Sequence, residues 1–149
     1  MDRQSPGRPE LAEVAANCAC KNLRRTARAV TQLYDEHLRP SGLRITQFTL
    51  LVAVALREPV QVTQLADTLA LDRTTLARDL GPLTERGLVE VSAGDDRRTR
   101  VVRLTRQGRE AIARAYPLWR QAQARLVEQS PWPDLAGGLQ EVAAAALAT

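Results

Sequence analysis

Aromatic side chains are nearly absent: one Phe, two Tyr and two Trp in 149 residues. A protein that grips single-stranded nucleic acid needs rings on which bases stack, and this chain has no such platform. Lysine is scarcer still, for of the 21 basic residues only Lys21 is a lysine. The one histidine, His37, falls near a helix end and reads as a capping or surface residue, not a ligand. Cys18 and Cys20 are the only thiols, too few for a closed zinc site in one chain. No apolar run approaches the roughly 18 residues of a membrane-spanning helix. The opening stretch, residues 1–9, is polar with two prolines and lacks the apolar core of a secretion signal. The chain is therefore expected in the cytoplasm, where its cysteines stay thiols. No Ser-His-Asp set, phosphate loop or paired-carboxylate pocket is apparent, so neither an enzyme nor a cofactor is expected.

Apolar residues make up 44% of the chain, enough for a packed core. The net charge of +4 and pI of about 9.8 permit a nucleic-acid partner without requiring one. Arginine is the better residue for bidentate contacts to guanine and phosphate. Genomic base composition accounts for the same bias equally well.

The apolar periodicity divides the chain into segments. Residues 1–9 read as a disordered arm. Residues 10–38 carry apolar positions at steps of three and four, a long helix stopped by Pro40-Ser41-Gly42. A second helix over 46–57 is apolar on every side and should be buried. Thr63 reads as the N-cap of a short helix, and Asp72 as the N-cap of the next, with Leu76, Leu80 and Leu83 on one face and Gly87 beyond its end. Pro82 should bend that helix and Pro117 a later one. Residues 88–92 and 99–104 read as two strands joined by the turn Ala93–Arg98. Thr105 caps a long helix to about Gln129, and a last helix covers 134–147. The expected fold is mainly α with a small β-hairpin (α+β): a winged helix-turn-helix over 41–105, with helical dimerisation regions at 10–40 and 106–149. The long terminal helices have apolar stripes that a second copy would cover.

On the helix after Asp72, Thr74 and Arg78 fall opposite the leucines, with Arg73 and Thr75 flanking. Short hydroxyls and a guanidinium near a helix N-terminus suit the major groove. An ordinary solvated helix face would show the same residues. The hairpin is harder to explain that way. Arg97, Arg98, Arg100 and Arg103 cluster beside Asp95 and Asp96. Arg98 suits a minor groove, and Asp96 would brace it by a salt bridge.

These residues resemble the MarR family of transcriptional regulators. The resemblance lies in Gly42-Leu43-x-x-Thr46-Gln47-Phe48, Leu65-Ala66, Asp72-Arg73-x-Thr75 and Leu83-x-x-Arg86-Gly87-Leu88-Val89. It continues in Asp95-Asp96-Arg97-Arg98 and Val102-Arg103-Leu104-Thr105-x-x-Gly108. It implies a homodimer on a palindromic double-stranded operator, with the helix over 72–86 in the major groove. It also implies that Arg98 enters the minor groove supported by Asp96. Members often take small lipophilic anions as effectors. The Gly81-Pro82 pair is not part of the pattern.

Cys18 and Cys20, two apart on one intact helix, would point to nearly opposite sides and not pair. Both read equally as small packing residues. The peroxide-sensing branch of the family carries a reactive cysteine on this helix, with leucine at +3 and a tyrosine at +14 that contacts the thiol. Cys20 has Leu23 and Tyr34 at those offsets, but Arg24 stands where a second tyrosine is expected. The leading expectation is a repressor released by a small ligand or by thiol oxidation. The alternatives are a small cysteine-dependent peroxidase and a helical protein-interaction module.

Overall fold

The computed structural model describes residues 5–148, so positions 1–4 of the expected arm lie outside the described residues. Two compact units divide at Leu33/Tyr34. In the first, α1 (Arg8–Asn17) begins inside the stretch expected to be an arm, with Pro9 in its first turn, where a missing N–H costs nothing. The single helix expected over 10–38 is two. Cys18, at φ −62° and ψ 108°, breaks it, and α2 (Ala19–Leu38) starts anew. Side chains replace the lost backbone ladder. Lys21 Nζ donates to the Ala15 carbonyl at 2.5 Å and Asn22 Nδ2 to that of Ala16 at 3.0 Å. Polar side chains that satisfy backbone groups locally compete with a continuous helix. No residue of α1 is buried.

The second unit holds the core. A 3-10 turn at Arg39–Ser41 leads into α3 (Ile45–Ala55), the buried central helix that its all-round apolar sequence predicts. Leu51 and Val54 are fully buried. Asp35 Oδ1 accepts the Ile45 N–H at 2.7 Å, and Gln47 Oε1 that of Arg44 at 3.1 Å, so two of the N–H groups at the start of the helix are satisfied by side chains. Next come β1 (Val60–Gln61), α4 (Val62–Thr68), α5 (Arg73–Glu85), β2 (Val89–Ala93) and β3 (Arg100–Leu104).

The sheet has three strands, not two, in the order β1-β3-β2, all antiparallel. Strand β1 pairs Val60 with Val102 and Gln61 with Val101. This pairing holds the chain extended to Gln61 and moves the cap of α4 from the expected Thr63 to Gln61, whose N–H reaches Gln64 Oε1. Leu76, Leu80 and Leu83 of α5 all face the core, as their spacing requires.

Two glycines make the junction to α6 (Arg106–Gln129). Gly87 has φ +67°, a left-handed conformation that closes α5. Gly108 packs so closely that a Cβ would run into the Leu88 carbonyl. Thr105 caps α6 as expected. Its Oγ1 accepts the Gly108 N–H at 3.0 Å while its hydroxyl donates to the Gly87 carbonyl at 2.6 Å. Neither Pro82 nor Pro117 ends its helix. On α6, Trp119 stacks on Tyr116 and meets Phe48 of α3. The last helix, α7 (Trp132–Leu147), buries no residue, and Leu135, Val142 and Leu147 of its apolar stripe lie exposed.

Leu51→Ala should lower unfolding stability by about 2–5 kcal/mol, the range for a fully buried leucine that leaves a cavity. Urea denaturation reads this as a lower midpoint at unchanged slope. A second prediction concerns Asp72, the N-cap of α5. Bonds from the Thr75 hydroxyl and from backbone N–H groups hold its carboxyl below the usual carboxylate range. The folded state therefore prefers the ionised form. Its contribution is complete above the unfolded value, about 3.9, and is lost as pH falls through the lower folded value. The stability gap between the wild type and Asp72→Asn should be flat near neutrality and shrink below about pH 4. Thermal unfolding across that range measures it, and a gap that stays flat into acid would contradict the assignment.

Candidate nucleic-acid interface

Helix α5 presents Arg73, Thr74 and Arg78 to solvent above its three buried leucines. Thr75 is half-buried and tied to the cap. Its N–H donates to Asp72 Oδ1 at 2.8 Å and its hydroxyl to Oδ2 at 2.6 Å. The Thr75 proton is thus committed, and its oxygen faces any partner as an acceptor only. Arg78 lines a groove of about 440 Å³ with Arg44, Thr46 and Gln47 from the start of α3, and with Asp79 and Pro82 of its own helix. Thr46 and Gln47 belong to the motif that carries the family resemblance, whereas Arg44 was not singled out, and an arginine just before a helix was its only signal.

The wing is the hairpin of β2 and β3, closed by Gly94 N–H to the Thr99 carbonyl at 2.9 Å. The expected Asp96–Arg98 salt bridge is absent among the described residues. Asp96 acts on the backbone instead. Its Oδ1 accepts the Arg98 N–H at 3.0 Å, and its carbonyl accepts from the Thr99 N–H and hydroxyl at 2.9 and 2.8 Å. An aspartate two residues ahead of an N–H forms this turn readily, and it fixes the backbone while leaving the guanidinium unpaired. Arg97, Arg98 and Arg100 are exposed. Arg98 and Arg100 line a cleft together with Arg73, so the fold joins the wing arginines to one end of α5 while Arg78 sits in a separate groove.

The root of the wing is held from outside the hairpin. Glu58 Oε2 accepts the Leu104 N–H at 2.7 Å, and Oε1 pairs with Arg109 of α6.

The cysteines are free thiols, Cys18 half-buried at the helix break and Cys20 exposed in the first turn of α2. The intact helix that would have kept them apart does not exist at Cys18. Tyr34 belongs to the second unit, where it is buried and its hydroxyl donates to Gln123 Oε1 of α6. Burial pushes its pKa up. No described helix is long and apolar enough to cross a membrane. No group of three or more potential metal ligands gathers among the described residues.

A profile of the MarR family matches residues 41–99, from the end of the 3-10 turn before α3 into the wing turn. No curated protein matches the chain. Among solved structures, the M. tuberculosis transcriptional regulator MosR in complex with DNA is 41% identical. That match has a TM-score of 0.83 and covers 89% of this chain and 98% of MosR. The transcriptional repressor CouR, bound to a 23-mer DNA duplex, is 26% identical, with a TM-score of 0.76 and coverage of 96% and 99%. CouR from Rhodococcus jostii RHA1 bound to p-coumaroyl-CoA aligns at a TM-score of 0.66 and 26% identity, over 80% of this chain and 84% of CouR. With a helix pair, a wing and a 41%-identical regulator matched over nearly its whole length, the chain belongs to the MarR family of transcriptional regulators.

Proposed function

We propose that the protein is a cytoplasmic, homodimeric repressor that binds a palindromic double-stranded operator. The observation that carries this reading is the 41% identity to MosR, a regulator whose structure was solved on DNA. Thr74, Thr75 and Arg78 of α5 enter the major groove, with Arg73 flanking them at the helix N-terminus. Arg98, with Arg97 and Arg100 beside it, reaches the minor groove from a wing whose turn Asp96 holds. Residues 41–105 form the DNA-binding region, and the helices on either side of it form the dimer. Exposed apolar residues on the terminal helices support the dimer, because a second copy would cover them. Two modules then meet half-sites about 34–36 Å apart on one face of the duplex. Family membership lends no support to the peroxidase alternative, and the protein acts by binding, not turnover.

Release follows from a small ligand or from thiol oxidation. CouR bound to p-coumaroyl-CoA is the precedent for the first. The exposure of Cys20 favours the second, since peroxide oxidises an accessible thiolate to sulfenic acid. Either event lowers operator affinity by favouring a dimer geometry that no longer fits both half-sites.

Selection of bound duplexes from a random pool should return a palindrome, and a set without common sequence would refute the operator reading. On that operator, Arg98→Ala should cost about 1–3 kcal/mol of binding at matched salt. Asp96→Asn should bind almost as the wild type, because an amide oxygen still accepts the Arg98 N–H, whereas Asp96→Ala should weaken binding. Equal losses in both would restore a role for the charge. Peroxide should release the operator from the wild type and not from Cys20→Ser. Equal release from both would remove the redox route.

A further inference from the structure

The cleft that Arg73 shares with Arg98 and Arg100 has a volume of about 230 Å³, with Gln61, Thr63 and Thr99 in its wall. Its charge is all of one sign. Among the described residues, no carboxylate pairs with any of the three guanidinium groups, and none lines the cleft. Neighbouring clefts differ, for Asp79 sits in the one beside Arg78, Glu85 in one along α5 that Arg100 also borders, and Asp95 and Asp96 in one under the turn.

Three like charges around one small volume repel each other unless an anion lies among them. The donors present are guanidinium forks, the Thr63 hydroxyl and the Gln61 amide, a set that matches the oxygens of a tetrahedral oxyanion, while the Thr99 proton is committed to the Asp96 carbonyl. The volume narrows the choice. Sites for drug-sized ligands run to about 300–1,000 Å³, and this smaller cleft has room for a single phosphate group.

We infer that the cleft seats one phosphodiester of the DNA backbone in each half-site, held by Arg100 of the wing and Arg73 of α5, while Arg98 on the cleft's edge reaches past it into the minor groove. The inference rests on the operator reading above and gives that complex its register. A single phosphate gripped from both elements fixes the depth of the wing against the position of α5. Contacts of this type carry no sequence information and place the groove-reading residues. Gln61 and Thr63 become backbone-contacting residues.

Anisotropy titrations with the selected operator test this, using duplexes in which single phosphates are replaced by neutral methylphosphonates. For the wild type, one position per half-site, adjacent to the wing, should lose about tenfold or more in affinity, the effect of a charge-assisted contact. In Arg100→Gln the same replacement should cost little, since its partner is already gone. Arg100→Gln should also weaken all operator variants by a similar factor and lower the salt slope by about one. Arg100→Lys, which keeps the charge without the fork, should fall between. If the losses from Arg100→Gln and from methylphosphonate simply add at every position, the seat is not there. Inorganic phosphate separates the second source of the same chemistry. If it protects the free protein against heat while no methylphosphonate position couples to Arg100, the cleft is a free-anion site and the DNA assignment falls. A wild-type protein that binds no duplex removes the operator reading itself, which is a different failure from additive losses on a bound operator.

Discussion

The carboxylate of Glu58 holds the root of the wing from two sides. One oxygen takes the Leu104 N–H at the end of β3, and the other pairs with Arg109 in α6. A carboxylate in this position ties the loop after α3 to a distant stretch of chain, the end of the hairpin and the start of the long helix. Its charge is largely withdrawn from water, so the ion pair and the N–H bond must both be present to offset desolvation. The neighbouring junction has the same character. Gly108 lets α6 approach the Leu88 carbonyl, and the Thr105 hydroxyl joins Gly87 to the cap of α6. The wing is therefore fixed at its base to the long helix α6, while its turn is fixed separately by Asp96.

Periodicity made the helical part of this architecture readable. The leucines at 76, 80 and 83 lie four and three apart and are all buried, and the caps at Asp72 and Thr105 follow from side chains placed three residues ahead of the N–H groups they accept. What was not readable depends on contacts distant in sequence. Strand β1 is two residues long and exists because Val60 meets Val102, so no local pattern announces it. The break at Cys18 contains no glycine or proline; Lys21 and Asn22 sustain it by reaching back six residues.

The interface shows the same division. Which residues of α5 face outward could be deduced by rotating a helix. The partners of those residues could not. Asp96 beside an arginine suggests an ion pair, yet a short side chain two residues ahead finds the backbone N–H first. The convergence of Arg73 with Arg98 and Arg100 needs the tertiary fold, since α5 and the hairpin turn are far apart in the chain.

The near-exclusive use of arginine has a consequence for control. Between Asn22 and Thr149 the chain contains no lysine. Acetylation, which erases charge on lysine amines, finds no substrate anywhere from α3 to the end of α7. The positive face made by α5 and the wing is thus closed to that form of tuning. On the proposed operator, release would then come from moving the arginines apart or out of register.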